Sequence, residues 1–247
     1  MRTLDELCDS YEGNAAKARD AAASAFERGA YPVAATVWAE SAVSYLMRAM
    51  FGWRAALDDP RPWLDACVDV SETAASMLTG QPQWLRQFNV GPGTYSALLR
   101  DHVAGPLFEH ISTMPSDANG NLPPEHGLDA GLVSLLAESR ADPERSFQVH
   151  AASGRQALMR RSYETYAELA RAGHEPAERL RLAAAAVANY RARRTNGYYV
   201  GGLRSEGGGD YNDLLVDYRL AAIWHRRGWS TAGLDPGIRI HLLPGVD

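Results

Sequence analysis

Apolar residues occur on every side of the stretch 31–57, and this pattern predicts a helix. The stretch carries only three charged residues, Glu40, Arg48 and Arg54. A helix without a polar face is normally buried, so we expect it to be the most buried helix of the fold. A membrane span is the alternative interpretation. Glu40 near the middle argues against it, because a charge at mid-bilayer is costly. We therefore expect no membrane association.

Helical periodicity continues through most of the remaining chain, between Pro and Gly residues that mark the helix ends. A weak alternation over residues 238–244 is the exception and predicts a short extended segment. The sequence therefore predicts an all-α fold, an antiparallel bundle or a stack of helical hairpins, with a short extended C-terminal tail. The predicted helices cover residues 15–28, 31–57, 60–78, 83–88, 94–104, 106–111, 128–139, 143–172, 176–194 and 211–227.

Two polar segments divide the chain. Residues 112–127 are rich in Pro, Gly and Asn and predict a linker between an N-terminal half, 1–111, and a C-terminal half, 128–247, within one compact domain. Residues 196–209 contain six glycines and predict a mobile loop, after which Asp210 is the expected cap of the last long helix.

The helix predicted over 60–78 is amphipathic. Its outer face carries Asp65, Asp69 and Glu72 at i, i+4 and i+7, and Asp58 and Asp59 lie just upstream. Acids at a helix start also favour its dipole, but Asp69 and Glu72 lie beyond the first turn, where that effect fades. These five residues are the candidate partner-binding surface. The predicted inner face consists of Leu64, Cys67, Val68, Ser71, Ala74, Ala75 and Leu78.

The charge of the chain is uneven. The net charge is −5 in total, and residues 1–72 alone carry 12 acids and 7 bases. An acidic chain gives no support for nucleic-acid binding. Two cysteines make no disulfide framework and match no metal spacing, so reduced thiols are expected. The first residues contain no apolar run of the kind found in secretory signals, and we expect a cytoplasmic protein.

The sequence lacks the residue patterns that commonly mark a catalytic site. His102, Glu109 and His110 lie on a segment whose register Gly105–Pro106 interrupts, and no metal is expected. No nucleophile elbow and no dinucleotide or P-loop glycine spacing occurs, so we predict no catalytic residues and no cofactor.

The glycine-rich loop provides a secondary candidate site. Tyr198, Tyr199 and Arg204, close to the basic end of the preceding helix, form a group that would hold an anion. The alternative, which we prefer, is that basic residues at a helix C-terminus only complement its dipole.

The join between the first two helices resembles the turn and second helix of a tetratricopeptide unit. The residues that carry this resemblance are Gly29, Tyr31, Ala34, Trp38 and Ala42. Any tight helical hairpin satisfies the same pattern, and no second copy follows about 34 residues later, as a repeat array requires.

The last quarter of the chain resembles the all-helical immunity proteins of bacterial polymorphic-toxin systems. An Ala-rich helix ending in a tyrosine and a basic run is followed by a polar loop, a second helix and a short leucine-proline ending. The matching residues are Leu220, Ala221, Ala222, Ile223, Gly228, Leu243 and Pro244. The resemblance implies a protein that binds a cognate toxin and blocks it, without catalysis of its own.

Three functional hypotheses follow. The first is a non-enzymatic immunity-type protein whose partner is a protein, such as a basic toxin domain. The second is an enzyme of specialised metabolism with a small-molecule pocket between the two halves, and the third is a helical-repeat adaptor. The missing catalytic set favours the first and third. The single tetratricopeptide-like unit favours the first over the third. The partner and the oligomeric state are left open.

Overall fold

The computed structural model describes residues 3–54, 57–81, 91–113, 124–137, 154–171, 175–195 and 216–243. These residues form helices and no strand, which confirms the all-α prediction. None of the described helices combines the length and the apolar composition that a membrane crossing requires. The helices are α1 Leu4–Glu27, α2 Tyr31–Arg54, α3 Arg61–Met77, α4 Pro92–Leu99, α5 Pro106–Thr113, α6 Pro124–Leu136, α7 Gly154–Ala170, α8 Pro176–Thr195, α9 Tyr218–Arg226 and α10 Pro236–Arg239.

Helices α1 and α2 form an antiparallel hairpin. α1 begins at Leu4, well before the predicted start at residue 15, because Thr3 and Glu6 form a capping box. The Thr3 hydroxyl accepts from the Glu6 amide at 3.2 Å, and the Glu6 carboxylate accepts from the Thr3 amide at 2.8 Å. The hairpin turn at Gly29 has φ 74°, a conformation that glycine adopts without strain.

Helix α2 is central but it is not the most buried helix, so that prediction was wrong. Its second half is enclosed, whereas Val33, Glu40 and Val43 of its first half are exposed. Apolar residues on a solvent face are common in folded proteins, so a helix with apolar residues on every side is not necessarily buried on every side. In α4, by contrast, every residue after Pro92 is buried. The described part of α2 ends at Arg54, and Leu57, the last residue of the predicted helix, is not helical.

Helix α3 packs against α2 and α4, and all seven residues of its predicted inner face are buried. α4 approaches α3 closely at Gly93, where a Cβ atom would overlap the Ser71 side chain. α4 ends at Leu99 rather than at the predicted residue 104, because Asp101 turns into the left-handed region with φ 55°. α4 contacts α2 and α3 on one side and α6 and α9 on the other, so it joins the two halves of the chain.

The last two helices, α9 and α10, both differ from the prediction. Asp217, rather than Asp210, caps α9, which is shorter than the predicted helix 211–227. The predicted extended tail is wrong, because residues 236–239 form the helical turn α10. The Asp235 side chain accepts from the Gly237 amide at 2.7 Å, and an aspartate before Pro236 is a strong helix start.

Several predictions concern residues outside the described part. α5 includes Ser112 and Thr113, and α6 begins at Pro124, so both helices extend into the predicted linker 112–127. The rest of that linker, the predicted helix 83–88 and the loop 196–209 lie outside the described residues.

Candidate functional site

A buried carboxylate, Asp129 of α6, lies at the contact between the two halves. Its Oδ1 atom accepts hydrogen bonds from the Tyr95 hydroxyl at 2.6 Å and the Tyr163 hydroxyl at 2.7 Å. Arg219 donates from Nε to Oδ1 and from Nη2 to Oδ2, both at 2.8 Å. The four side chains come from α4, α6, α7 and α9, so one polar cluster connects four helices. We call these residues the Asp129 cluster.

The charges of the Asp129 cluster are fixed by its surroundings. Burial alone would raise the pKa of Asp129, but the Arg219 guanidinium and the hydrogen bonds hold that pKa below its usual range. Burial and the charge of Asp129 raise the pKa of Tyr95 well above its ordinary value. The carboxylate is therefore ionised and the tyrosine neutral near pH 7.

Aromatic rings enclose the Arg219 guanidinium. Its central carbon lies 4.6 Å from the ring centre of Tyr218, 5.3 Å from that of Tyr163 and 5.5 Å from that of Tyr95. Such contacts stabilise a cation that has been removed from water. The side chains of Arg219 and Asp129 are only 2% and 5% exposed, so both charges are buried.

A second buried carboxylate holds Arg219 in position. Asp217 accepts a 2.6 Å hydrogen bond from the Tyr166 hydroxyl and caps α9 by accepting from the Leu220 amide at 3.3 Å. Because Arg219 is in the first turn of α9, the cap fixes where its side chain begins. The sequence pattern singled out none of Asp129, Asp217 and Arg219. The tyrosines were the available signal, since a buried hydroxyl normally has a partner.

The predicted acidic surface lies on and beside α3, and four of its five members are paired with a basic side chain. Asp59 pairs with Arg61 at 2.6 Å, Asp65 with Arg100 at 2.5 Å and Glu72 with His102 at 3.0 Å. Asp69 is exposed, and its carboxylate forms no hydrogen bond or ion pair in the described part of the chain. The surface therefore carries alternating charges with an excess of acid. The excess centres on Asp69.

Asp58 differs from the other four acids because it binds a buried cation. Arg48 of α2 donates to it from Nη2 at 2.6 Å and from Nη1 at 3.3 Å, and its guanidinium lies 4.4 Å from the Trp63 ring centre. The Trp63 indole also donates to Asp58 at 3.2 Å. The Arg48 side chain is 8% exposed, so Asp58 mainly neutralises a buried charge.

The structure describes only some of the remaining candidates. Tyr198, Tyr199 and Arg204 lie outside the described residues. Within the described part of the chain, no group of three or more potential ligands is placed to hold a metal. His102 instead contacts Glu72, and His225 contacts Asp101 at 3.0 Å.

A cleft of about 750 Å³ lies between α9, α10 and the turn that joins them. Trp224, Trp229 and Arg239 contribute to its walls, and His225 lies at one side. This cleft is inside the C-terminal half. Among the described residues, the junction of the halves contains the Asp129 cluster.

Comparisons with known proteins return nothing: no family model, no characterised protein and no solved structure matches this chain significantly.

Proposed function

We propose that this chain is a non-enzymatic binding module that neutralises a partner protein, in the manner of bacterial immunity proteins. The observation that carries the proposal is the exposed face of α3. There Asp69 has no partner among the described residues and lies between the paired acids Asp65 and Glu72. The proposed partner is a toxin domain with a basic surface, and the proposed place of action is the cytoplasm.

The ion pairs on this face are compatible with partner binding. Each pair has one exposed member: Asp65 is 51% exposed and its partner Arg100 24%, and His102 is 51% exposed and its partner Glu72 25%. Exposed ion pairs contribute only about 0–1 kcal/mol, so exchanging Arg100 or His102 for cations of a partner costs little. Asp69 is available without any exchange. Complementary charge of this kind speeds association and selects the partner.

The interior of the protein also favours binding over catalysis. Both carboxylate oxygens of Asp129 accept hydrogen bonds, and the side chains of Asp129 and Arg219 are almost fully buried. Such a cluster contributes to a unique packing of the helices rather than to chemistry. The helices are thereby held as a rigid support for a surface that recognises another protein.

A small-molecule enzyme is the second candidate, and the cleft beside α9 is the observation in its favour. Its volume of about 750 Å³ lies in the range of ligand pockets. The described wall residues, however, include no nucleophile paired with a base.

The test is a titration in a bacterial host. A toxin-like protein encoded beside this chain is expressed at constant level, and this chain is supplied in increasing amounts. We expect growth to recover when the two proteins reach about equal amounts, because inhibition by binding is stoichiometric. The purified mixture should contain a stable complex.

Two results would contradict the proposal. Recovery at strongly substoichiometric amounts of this chain would indicate catalysis. Unchanged toxicity together with no complex would contradict the proposal that this chain neutralises the toxin-like protein by binding it.

A further inference from the structure

The outer face of the α1–α2 hairpin is open to solvent and contains a groove of about 560 Å³. Two large apolar side chains of α2, Val33 and Val43, are 55% and 44% exposed there. The exposed residues of α2 recur at intervals of three and four, the spacing at which helices pack against one another. We call this surface the hairpin face; it consists of Asn14, Lys17 and Ala18 of α1 and of Val33, Thr36, Glu40 and Val43 of α2.

The hairpin face carries one charge of each sign. Lys17, the only lysine of the chain, lines the groove from α1, and Glu40 lines it from α2. Neither side chain forms an ion pair with any described residue. They lie at the same height along the hairpin, because the adjacent residue Ser41 donates to the Ala15 carbonyl at 2.8 Å. A second copy of the surface would bring an oppositely charged side chain to each of these two residues.

We propose that the hairpin face binds a second copy of this chain and forms a two-fold symmetric dimer. A two-fold axis running along the hairpin places α1 of each copy opposite α2 of the other. Lys17 of each copy then meets Glu40 of the other, and Val43 meets the small side chains of α1. A two-fold interface requires a surface that is complementary to itself, and one acid and one base at equal height meet that requirement.

The hairpin is long enough for such a dimer. Each helix of the hairpin has 24 residues and is therefore about 36 Å long, and two adjacent helices are about 20 Å wide. Specific interfaces bury roughly 800 Å² on each partner, so the proposed interface extends beyond the hairpin face along both helices. The small residue Ala18 allows the helices to approach closely.

The two charges of the hairpin face also favour a second copy of the chain over a different partner. A partner with a surface of one sign would be attracted by one of the two charges and repelled by the other. The proposed dimer uses both and leaves the exposed face of α3 free. Binding of another protein to the hairpin face is the competing outcome, and it predicts that the isolated chain is a monomer.

The test is sedimentation equilibrium of the full chain and of charge variants. The wild type is expected to be a dimer with a dissociation constant below about 10 µM. Lys17→Glu and Glu40→Lys should each weaken the dimer at least about tenfold, because each change brings two pairs of like charges together. The double variant K17E/E40K should restore the wild-type dissociation constant to within about threefold, because the reversed pairs attract again.

Glu27→Lys is the matched control, since Glu27 is exposed on α1 but does not line the groove. This change should leave the dimer intact, and so should Asp69→Lys on α3. Val43→Asp should also produce a monomer, with unchanged helical circular dichroism. A wild-type chain that is monomeric at about 100 µM would overturn the proposal. Failure of the double variant to recover dimerisation would overturn it as well.

Discussion

Arg219 binds Asp129 at two points, from Nε to Oδ1 and from Nη2 to Oδ2, each at 2.8 Å, although 90 residues separate them in the chain. Two parallel bonds fix the orientation of both side chains, which a single contact would not do. Tyr95 adds a bond from α4. Because α4 also packs against α2 and α3, the ion pair links the C-terminal helices to the N-terminal ones.

Asp129→Asn should destabilise the protein strongly. The amide has nearly the same shape, but it leaves the Arg219 charge buried without a counterion. Breaking a buried pair on one side costs about 3–5 kcal/mol. Unfolding in urea measures the loss. Asp65→Asn, which breaks the exposed pair with Arg100, is the control and should cost no more than about 1 kcal/mol. A loss below about 1 kcal/mol for Asp129→Asn would show that the cluster does not stabilise the fold.

The contribution of Asp129 should disappear in acid. Its pKa in the folded protein lies below its ordinary value, because Arg219 and the hydrogen bonds outweigh the effect of burial. A carboxyl group with a lowered folded pKa stabilises the protein at pH values above its unfolded pKa of about 3.9, and the stabilisation is lost as the pH falls towards the folded pKa. The stability difference between wild type and Asp129→Asn should therefore be constant from about pH 7 to pH 5 and shrink below about pH 4. Urea titrations at several pH values test this, and a difference that stays constant to the lowest pH would contradict it.

Leu46→Ala should cost about 2–5 kcal/mol in the free energy of unfolding, the usual range for a buried leucine. Leu46 is 2% exposed in the enclosed half of α2. Leu180→Ala on α8 is the matched control, because Leu180 is 42% exposed and the same atoms are removed. Similar losses for both variants would mean that the second half of α2 is not part of the core.

The two thiols should be unreactive in the folded protein. Burial raises the pKa of Cys67 to about 12, and its thiol donates to the Ala42 carbonyl at 3.2 Å. Cys8 is 1% exposed, and burial raises its pKa too. Since the thiolate is the reactive form, alkylation at pH 8 should occur only after unfolding. Labelling detected by mass spectrometry checks this; rapid modification of the native protein would show that one of the thiols is accessible.

The sequence predicted features that depend on neighbours along the helix. The inner face of α3, from Leu64 to Leu78, follows from helical periodicity alone, and all its members are buried. Helix ends that depend on local caps were predicted less well. The weak alternation near Ile238 predicted an extended segment, whereas Asp235 caps a helical turn there. Asp217 was likewise missed as the cap of α9.

Contacts between distant residues were not predictable in the same way. Asp129 and Arg219 belong to ordinary helical patterns, and only the packing of α6 against α7 and of α9 against α4 brings them together. The same applies to the α3 surface. The carboxylates of Asp65 and Glu72 followed from periodicity, whereas their partners, Arg100 and His102, lie 35 and 30 residues further along the chain. The pattern therefore overestimated the net charge of that surface.

The central claim, that the exposed face of α3 recognises a basic partner, is tested most directly by association kinetics. The rate constant for binding the proposed partner, a toxin domain with a basic surface, is measured against salt concentration for three proteins: wild type, D65K/D69K and the control D20K/E27K. The control reverses two exposed acids of α1 and changes the net charge equally.

Electrostatic steering is strongest at low salt and depends on where the charges lie. We predict that D65K/D69K associates at least about tenfold more slowly than the control at low salt and that its rate depends less on salt. Equal association rates for the two variants would contradict the claim.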